Sequence, residues 1–114
     1  MKEARTKSKN ELLPGTLEML ILKTLSIEPM HGYGIAQHIQ MLSADVLTIE
    51  EGSLYPALQR MLVKGWVLAE WKMSANNRRA RFYKLTAAGR KQLGVEESRF
   101  SQMSGAIMRV MKTT

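Results

Sequence analysis

Near the middle of the chain, four side chains within eight positions carry groups that can bind nucleic acid. They are Ser53, Tyr55, Gln59 and Arg60. Hydroxyl and phenol groups bond phosphate oxygens, glutamine suits the edge of adenine, and arginine suits guanine or a phosphate. Lys64 follows closely and can neutralise a phosphate. We therefore interpret this stretch as one that touches DNA.

The same stretch has the pattern of a short amphipathic helix. Pro56 has no N–H to donate, so we expect it in the first helical turn, with the N-cap near Gly52 or Ser53. Gly65 is a plausible stop after the last turn. The apolar residues fall on one buried stripe, which leaves the polar groups facing outward. The stripe consists of Leu54, Leu58, Met61 and Leu62.

Basic charge is concentrated beside this predicted recognition helix. The 114 residues carry a net charge of +7, but residues 60–91 alone hold nine basic side chains and one acid, a net charge of +8. Such a surface attracts polyanions, although a charge run by itself is more often only a solvated face. Its position next to the helix favours a nucleic-acid partner.

Several classes of function are excluded by what the sequence lacks. It has no cysteine nucleophile, no phosphate-binding glycine loop and no evident carboxylate pair, so we expect neither an enzyme nor a cofactor. His31 and His38 have no third ligand at metal spacing. The longest apolar run, residues 19–22, is far below the roughly 20 residues of a membrane span. We expect a cytoplasmic protein without a membrane partner.

The first part of the chain supplies elements that can position the recognition helix. Residues 1–11 are polar and predict a disordered tail. Thr16 can cap an apolar helix over residues 17–27, which Glu28 and Pro29 end. The glycine-rich segment 30–34 enters a second helix; its backbone N–H groups and Tyr33 can hold a DNA phosphate, or it can be an entry turn only.

Strand patterns flank the recognition helix. Residues 46–49 are rich in β-branched side chains and predict a short strand before it. Residues 66–72 and 80–85 alternate with a period of two and predict a β-hairpin with a polar, basic tip. Its aromatic residues can stack on bases but more often cover a sheet. The tip residues expected to neutralise phosphates are Asn77, Arg78, Arg79 and Arg81.

Thr86 can cap a final helix with a heptad-like apolar seam. Glu96 interrupts this seam, and methionines widen the apolar face near its end. A long apolar helix behind a small domain needs a partner surface, and the simplest partner is a second copy of the chain. The predicted dimerisation residues are Leu93, Phe100, Met103, Ile107 and Val110.

This order of elements predicts a mainly α fold with a small β-hairpin, an α+β class. Three helices and a basic hairpin form the winged helix-turn-helix plan, with an N-terminal helix and a C-terminal dimerisation helix. We expect residues 12–86 to bind DNA and residues 87–114 to form the dimerisation helix. The third helix then enters the major groove, and the hairpin reaches the backbone or the minor groove.

Five short motifs resemble those of PadR-family transcriptional regulators. They are Leu13-Pro14-Gly15-Thr16, His31-Gly32-Tyr33-Gly34, Glu51-Gly52-Ser53-Leu54-Tyr55-Pro56-Ala57-Leu58, Gly65-Trp66 and Tyr83-Lys84-Leu85-Thr86-Ala87-Ala88-Gly89-Arg90. The resemblance runs from about Leu12 to at least Leu93, and the length resembles the short branch with one C-terminal helix. It implies a homodimeric winged-helix repressor that leaves its operator when a small ligand binds.

The leading hypothesis is a sequence-specific homodimer that binds double-stranded operator DNA with an inverted repeat. A small hydrophobic effector would bind beneath the methionine-rich last helix. The last helix has no tryptophan that could match the ligand-stacking tryptophan of the family, so the resemblance identifies no ligand for this chain. The alternative, from another class, is a protein-interaction module whose basic hairpin binds an acidic protein.

Overall fold

The computed structural model describes residues 15–113, so the predicted tail of residues 1–11 lies outside the described part. Within these residues, four helices and a three-stranded antiparallel sheet of order β1-β3-β2 confirm the winged helix-turn-helix prediction. The elements are α1 Thr16–Leu25, β1 Met30–His31, α2 Gly32–Leu42, α3 Glu51–Val63, β2 Val67–Met73, β3 Arg79–Leu85 and α4 Ala87–Met111.

A single apolar core joins the helices to the base of the sheet. Helix α1 lies at its centre and packs against α2, α3, α4 and β3, which explains why its sequence is apolar on most sides. Each large side chain in the core stabilises the fold by about 1.5–3 kcal/mol. The largest fully buried side chains are Ile21, Leu22, Ile35, Leu54, Leu58, Met61 and Val67.

Two predicted helix boundaries are confirmed by their hydrogen bonds. After α3, Gly65 has φ +77° and donates its N–H to the Leu62 carbonyl at 3.1 Å, while Trp66 donates to the Met61 carbonyl at 3.0 Å. This Schellman arrangement needs a left-handed residue, which glycine provides without strain. Before α4, the hydroxyl of Thr86 accepts the N–H of Gly89 at 3.0 Å.

The predicted start of α1 is wrong by one residue. Thr16 is the first helical residue, and the N-cap position belongs to Gly15, whose φ is +87° and which makes no side-chain capping bond. The chain enters α1 through a backbone conformation that only glycine adopts easily. The helix also ends at Leu25, two residues before the predicted boundary, with Ser26 as its C-cap.

The predicted strand at residues 46–49 is wrong, because this segment is an irregular connection between α2 and α3. The additional strand is Met30–His31, where Met30 lies opposite Tyr83 and His31 lies opposite Phe82. A β-branched run forms a strand only where a sheet edge is free to pair with it. Here β1 pairs along one side of β3 and β2 pairs along the other.

Helix α3 begins earlier than predicted. Glu50 is the N-cap, and its carbonyl accepts the N–H groups of Ser53 and Leu54 at 3.0 and 2.9 Å. Pro56 therefore lies in the second turn and not in the first. Its missing N–H removes the bond to the carbonyl of Gly52, which is exposed to water that can replace that donor.

Helix α4 has 25 residues, but only Gly89 and Leu93 are buried in it. Leu93, which was predicted to lie in the dimer seam, is 7% exposed and packs in the core of its own chain. The other four predicted seam residues are exposed: Phe100, Met103, Ile107 and Val110. None of the helices described within residues 15–113 has the length and hydrophobicity that crossing a bilayer requires.

Candidate nucleic-acid interface

A basic cleft of about 410 Å³ lies between the start of α2, the first half of α3 and the hairpin. Its lining comes from three segments that are distant in sequence. They meet here because β1 pairs with β3 of the hairpin, and α3 packs against α2 and β2. Five predicted DNA-binding residues line it: Tyr33, Tyr55, Arg78, Arg79 and Arg81.

Tyr55 lies on the helical side of this cleft, with its ring against Gly32. A Cβ at position 32 would be 2.6 Å from the Tyr55 hydroxyl oxygen and 2.7 Å from its ring, so this approach requires glycine. Burial, the carboxylate of Glu51 and the nearby Tyr83 raise the pKa of Tyr55 above its ordinary value of 10.0. The hydroxyl therefore keeps its proton at neutral pH and can donate it to a phosphate oxygen.

The start of α2 is fixed from within the chain. His31 Nδ1 accepts the N–H of Gly34 at 3.0 Å, so this backbone donor, which was expected to be available to a phosphate, already has a partner. The imidazole also packs edge-to-face on Phe82 at 5.2 Å between ring centroids. Tyr33 remains 64% exposed, and its hydroxyl accepts a bond from Gln37 at 3.1 Å.

Arginine and aromatic side chains are paired on the hairpin. The guanidinium of Arg79 lies 4.9 Å from the centroid of the Trp71 ring, and that of Arg81 lies 5.9 Å from the Tyr83 ring. Tyr83 is 5% exposed and belongs to the core, as the structural interpretation of these aromatics predicts. Ala69 is the cross-strand partner of Tyr83, and Trp71 lies two residues nearer the tip on the same strand face. Trp71 is 58% exposed and lines the cleft.

From the sequence, Trp71 could not be distinguished from the other aromatic residues of the hairpin as a residue of the cleft. The only signal is its distance from the base of the hairpin, because strand residues near a tip extend beyond the core. In the folded chain it adds an exposed π-face to the basic cleft, and arginine over such a face is held by a cation–π interaction.

Backbone hydrogen bonds fix the tip of the hairpin. The N–H of Ser74 donates to the Arg78 carbonyl at 2.7 Å, and the N–H of Asn77 donates to the Ser74 carbonyl at 3.0 Å. Asn77 has φ +62°, a left-handed conformation that asparagine tolerates better than most residues. This turn holds the basic residues around the tip in a defined position.

Four further predicted residues lie on α3 or at its C-cap, outside the lining of the cleft. Ser53 and Gln59 are exposed, and the Lys64 amine lies 4.6 Å from the Trp66 ring. Arg60 is engaged inside the chain, because its Nε and Nη2 donate to Glu18 Oε2 at 3.1 and 2.8 Å. No local sequence pattern indicates this contact, which joins α3 to α1.

Comparison with known proteins shows which family the sequence and the fold belong to. The model of the family described as "Transcriptional regulator PadR-like family" matches residues 21–95. A PadR-like transcriptional regulator from Bacillus cereus is 25% identical, with a TM-score of 0.76 over 88% of this chain and 95% of that one. A PadR family regulator from Eggerthella lenta is 27% identical, with a TM-score of 0.73 over 88% and 85%.

A transcriptional regulator from Clostridium thermocellum has 22% identity and a TM-score of 0.79, over 86% of this chain and 95% of that one, and it shows the shared fold alone. The family match extends from α1 through the hairpin into α4, well over half of the chain. The family resemblance drawn from the sequence motifs is confirmed. This chain belongs to the PadR-like family, and it is a DNA-binding transcriptional regulator and not an enzyme.

Proposed function

We propose that the protein is a homodimeric repressor that binds an operator with an inverted repeat and leaves it when a small hydrophobic molecule binds. The observation that carries this proposal is the basic cleft, in which tyrosines of α2 and α3 lie beside three hairpin arginines. A cleft of this composition suits a phosphate backbone next to a groove.

In this proposal α3 enters the major groove, which is about 12 Å wide in B-DNA. Gln59, exposed on α3, pairs with an adenine, and Ser53 and Tyr55 bond neighbouring bases or phosphates. The cations neutralise phosphates on either side and supply the salt-dependent part of the affinity. These phosphate contacts come from Lys64, Arg78, Arg79 and Arg81, with Tyr33 and Asn77 as neutral donors.

The exposed face of α4 supports a homodimer. Phe100 and Ile107 are each 49% exposed, and Met103 and Val110 are more exposed still. Contiguous apolar patches on a small protein usually mark an interaction surface, and a second α4 offers the same apolar chemistry. A two-fold dimer presents two copies of α3 to half-sites about 34–36 Å apart, which is why we expect an inverted repeat.

The effector proposal rests on a groove of about 470 Å³ between α1 and α4. Its walls are mostly apolar and include flexible thioethers, which adapt to ligands of different shape. A molecule that binds there more tightly in the DNA-free state shifts the population away from the operator. The apolar lining consists of Met19, Phe100, Met103, Ile107 and Met108.

The test is a fluorescence-anisotropy titration of a duplex taken from the region upstream of the protein's own gene. A scrambled duplex of equal length is the control, both are measured at two salt concentrations, and light scattering gives the protein mass. We expect tighter binding to the upstream duplex and the mass of a dimer. Equal binding to both duplexes, falling steeply with salt, contradicts a specific operator in that region, and a monomer mass contradicts the dimer.

Effector release is tested on the same complex. Small hydrophobic compounds are added to the protein–operator complex, and we expect some to lower the anisotropy while leaving the dimer mass unchanged. Loss of anisotropy accompanied by unfolding, followed by circular dichroism, would show denaturation and would count against an effector.

A further inference from the structure

The contact between Arg60 and Glu18 differs from the other ion pairs of the described residues. Two guanidinium nitrogens converge on one carboxylate oxygen, at 3.1 and 2.8 Å, across 42 residues of sequence. The pairs Lys72–Glu70 and Arg99–Glu96 are local in sequence and longer, at 3.8 and 3.9 Å. Among the ion pairs within residues 15–113, only the Arg60 pair connects the recognition helix to another helix.

The two partners have different environments. The side chain of Glu18 is only 15% exposed, whereas that of Arg60 is 53% exposed. Glu18 lies in the first turn of α1, in a sequence whose next residue, Met19, lines the apolar groove against α4. Loss of Arg60 would leave the Glu18 carboxylate charged, unpaired and poorly solvated. This cost stabilises the contact between the two side chains.

The apolar contact beneath α3 fixes which face of the helix is buried, but it leaves the exact rotation to be refined by directional contacts. It is made by Leu54, Ala57, Leu58 and Met61, and hydrophobic contacts of this kind are non-directional. Two hydrogen bonds from a guanidinium to one carboxylate oxygen are directional, so they constrain the geometry of the contact as well as its energy. Successive residues of a helix are about 100° apart around its axis, so holding Arg60 also fixes the direction in which Gln59 points.

We propose that Arg60 is a positioning residue, which through Glu18 sets the rotation of α3 on α1 and so directs Gln59 to its base. In this role Arg60 does not read guanine or bind a phosphate itself. The inference rests on the proposed operator binding through α3. Because Arg60 is more than half exposed, the pair adds little to the stability of the fold, and its loss affects recognition instead.

The decisive variant is Glu18→Gln, because the two roles of Arg60 predict effects of opposite sign. If Arg60 contacts DNA, removing the competing acid frees it and also removes a negative charge near a polyanion, so binding tightens. If Arg60 is a positioning residue, α3 loses its fixed rotation. Affinity for the operator then falls about tenfold or more, as for the loss of one base contact, while the scrambled duplex is bound as before or slightly better.

Glu28→Gln is the matched control, since it removes an exposed acid that lies beyond the end of α1. It reports the purely electrostatic effect of one charge less. Thermal melting of each variant, followed by circular dichroism, establishes that the fold is retained. If Glu18→Gln fails to fold, Arg60→Lys replaces it, because lysine keeps the charge and lacks the planar fork.

The double variant Glu18→Gln with Arg60→Gln tests whether the two residues act as a unit. A positioning pair predicts that the double variant binds the operator no more weakly than either single variant. The slope of affinity against salt should also stay unchanged in Arg60→Gln, whereas loss of a phosphate contact lowers it by about one. A lower slope, or Glu18→Gln binding the operator as tightly as the unaltered protein, overturns the inference.

The proposed function has a separate criterion of failure. If the unaltered protein binds operator and scrambled duplexes equally, the proposal of operator recognition is wrong, and the proposed role of Arg60 is then wrong as well. If the unaltered protein prefers its operator and Glu18→Gln shares that preference at full strength, only the positioning role is overturned.

Discussion

The basic cleft and the outer half of α4 are both exposed, but only the cleft is prearranged by contacts within the chain. Tyr55 lies on Gly32, Arg79 lies over Trp71, and backbone bonds close the hairpin tip. The exposed apolar side chains of α4, such as Met103 and Ile107, belong to a helix without buried residues beyond Leu93. A polyanion of fixed shape needs donors held in advance, whereas an apolar surface is completed by the partner that covers it.

The largest expected effect comes from placing a charge on the apolar face of α4. Ile107→Glu should convert the dimer to a monomer, because burying an unpaired carboxylate costs several kcal/mol. Operator affinity should then fall by about a hundredfold or more, since one half-site contributes alone. Light scattering and anisotropy measure the two effects.

Gln102→Glu is the control for that substitution. Gln102 is exposed on the same helix and does not line the apolar groove, so the same new charge should leave the mass unchanged. A dimer mass for Ile107→Glu would show that α4 pairs through another face or not at all.

A smaller effect is expected from the residue proposed to read a base. Gln59→Ala should relax sequence preference at one position of each half-site, at a cost of about 1–3 kcal/mol if the contact is bidentate. The measurement is a titration of duplexes that carry each base pair in turn at that position. An unchanged preference at every position would remove Gln59 from the interface and shift recognition toward the cleft.

Gly32→Ala tests whether the cleft is prearranged by the packing of Tyr55. The added Cβ meets the phenol at 2.6 Å, so the half-exposed ring has to move. We expect a loss of about 1 kcal/mol in the free energy of unfolding, at the low end for overpacking, and weaker operator binding. Urea unfolding and anisotropy measure these.

Gly94→Ala is the matched control, because nothing lies within 4 Å of a Cβ at this position in α4. It should increase stability by up to about 1 kcal/mol through helix propensity alone and leave DNA binding unchanged. Equal DNA affinity in both glycine variants would mean that the position of the Tyr55 ring does not matter for binding.

The smallest effect is expected at the hairpin. Arg78→Ala should weaken binding to every duplex alike and reduce the slope of log affinity against log salt by about 0.9, the value for one lost phosphate contact. Lys112→Ala, beyond the end of α4, removes the same charge far along the chain from the cleft and should leave the slope unchanged. Altered sequence preference at a constant slope would reassign Arg78 to the bases.

Features that depend on neighbouring residues could be predicted from the sequence. The buried stripe of α3, the stop at Gly65, the cap at Thr86 and the hairpin all follow from patterns within a few residues. Leu62 was expected in that stripe, but it is only half-buried, and Ala57 is buried in its place. A small side chain gives little periodic signal even where it is fully enclosed.

Features that depend on distant partners could not be predicted. Strand β1 exists because the edge of β3, some fifty residues later, accepts it. The engagement of Arg60 depends on Glu18 in another helix, and the approach of Tyr55 depends on Gly32. In each case the residue type permits several roles, and the three-dimensional neighbour selects one.

The anchoring of the hairpin at its base has a consequence for how this regulator can evolve. Thr86 donates its hydroxyl to the Gly65 carbonyl at 2.7 Å and its N–H to the Trp66 carbonyl at 3.0 Å, and Val67 and Leu85 beside them are buried. The tip, residues 74–78, is remote from these contacts and largely exposed. New tip sequences can therefore accumulate without loss of folding, so that the strength of DNA binding can diverge between gene duplicates while their shared scaffold persists.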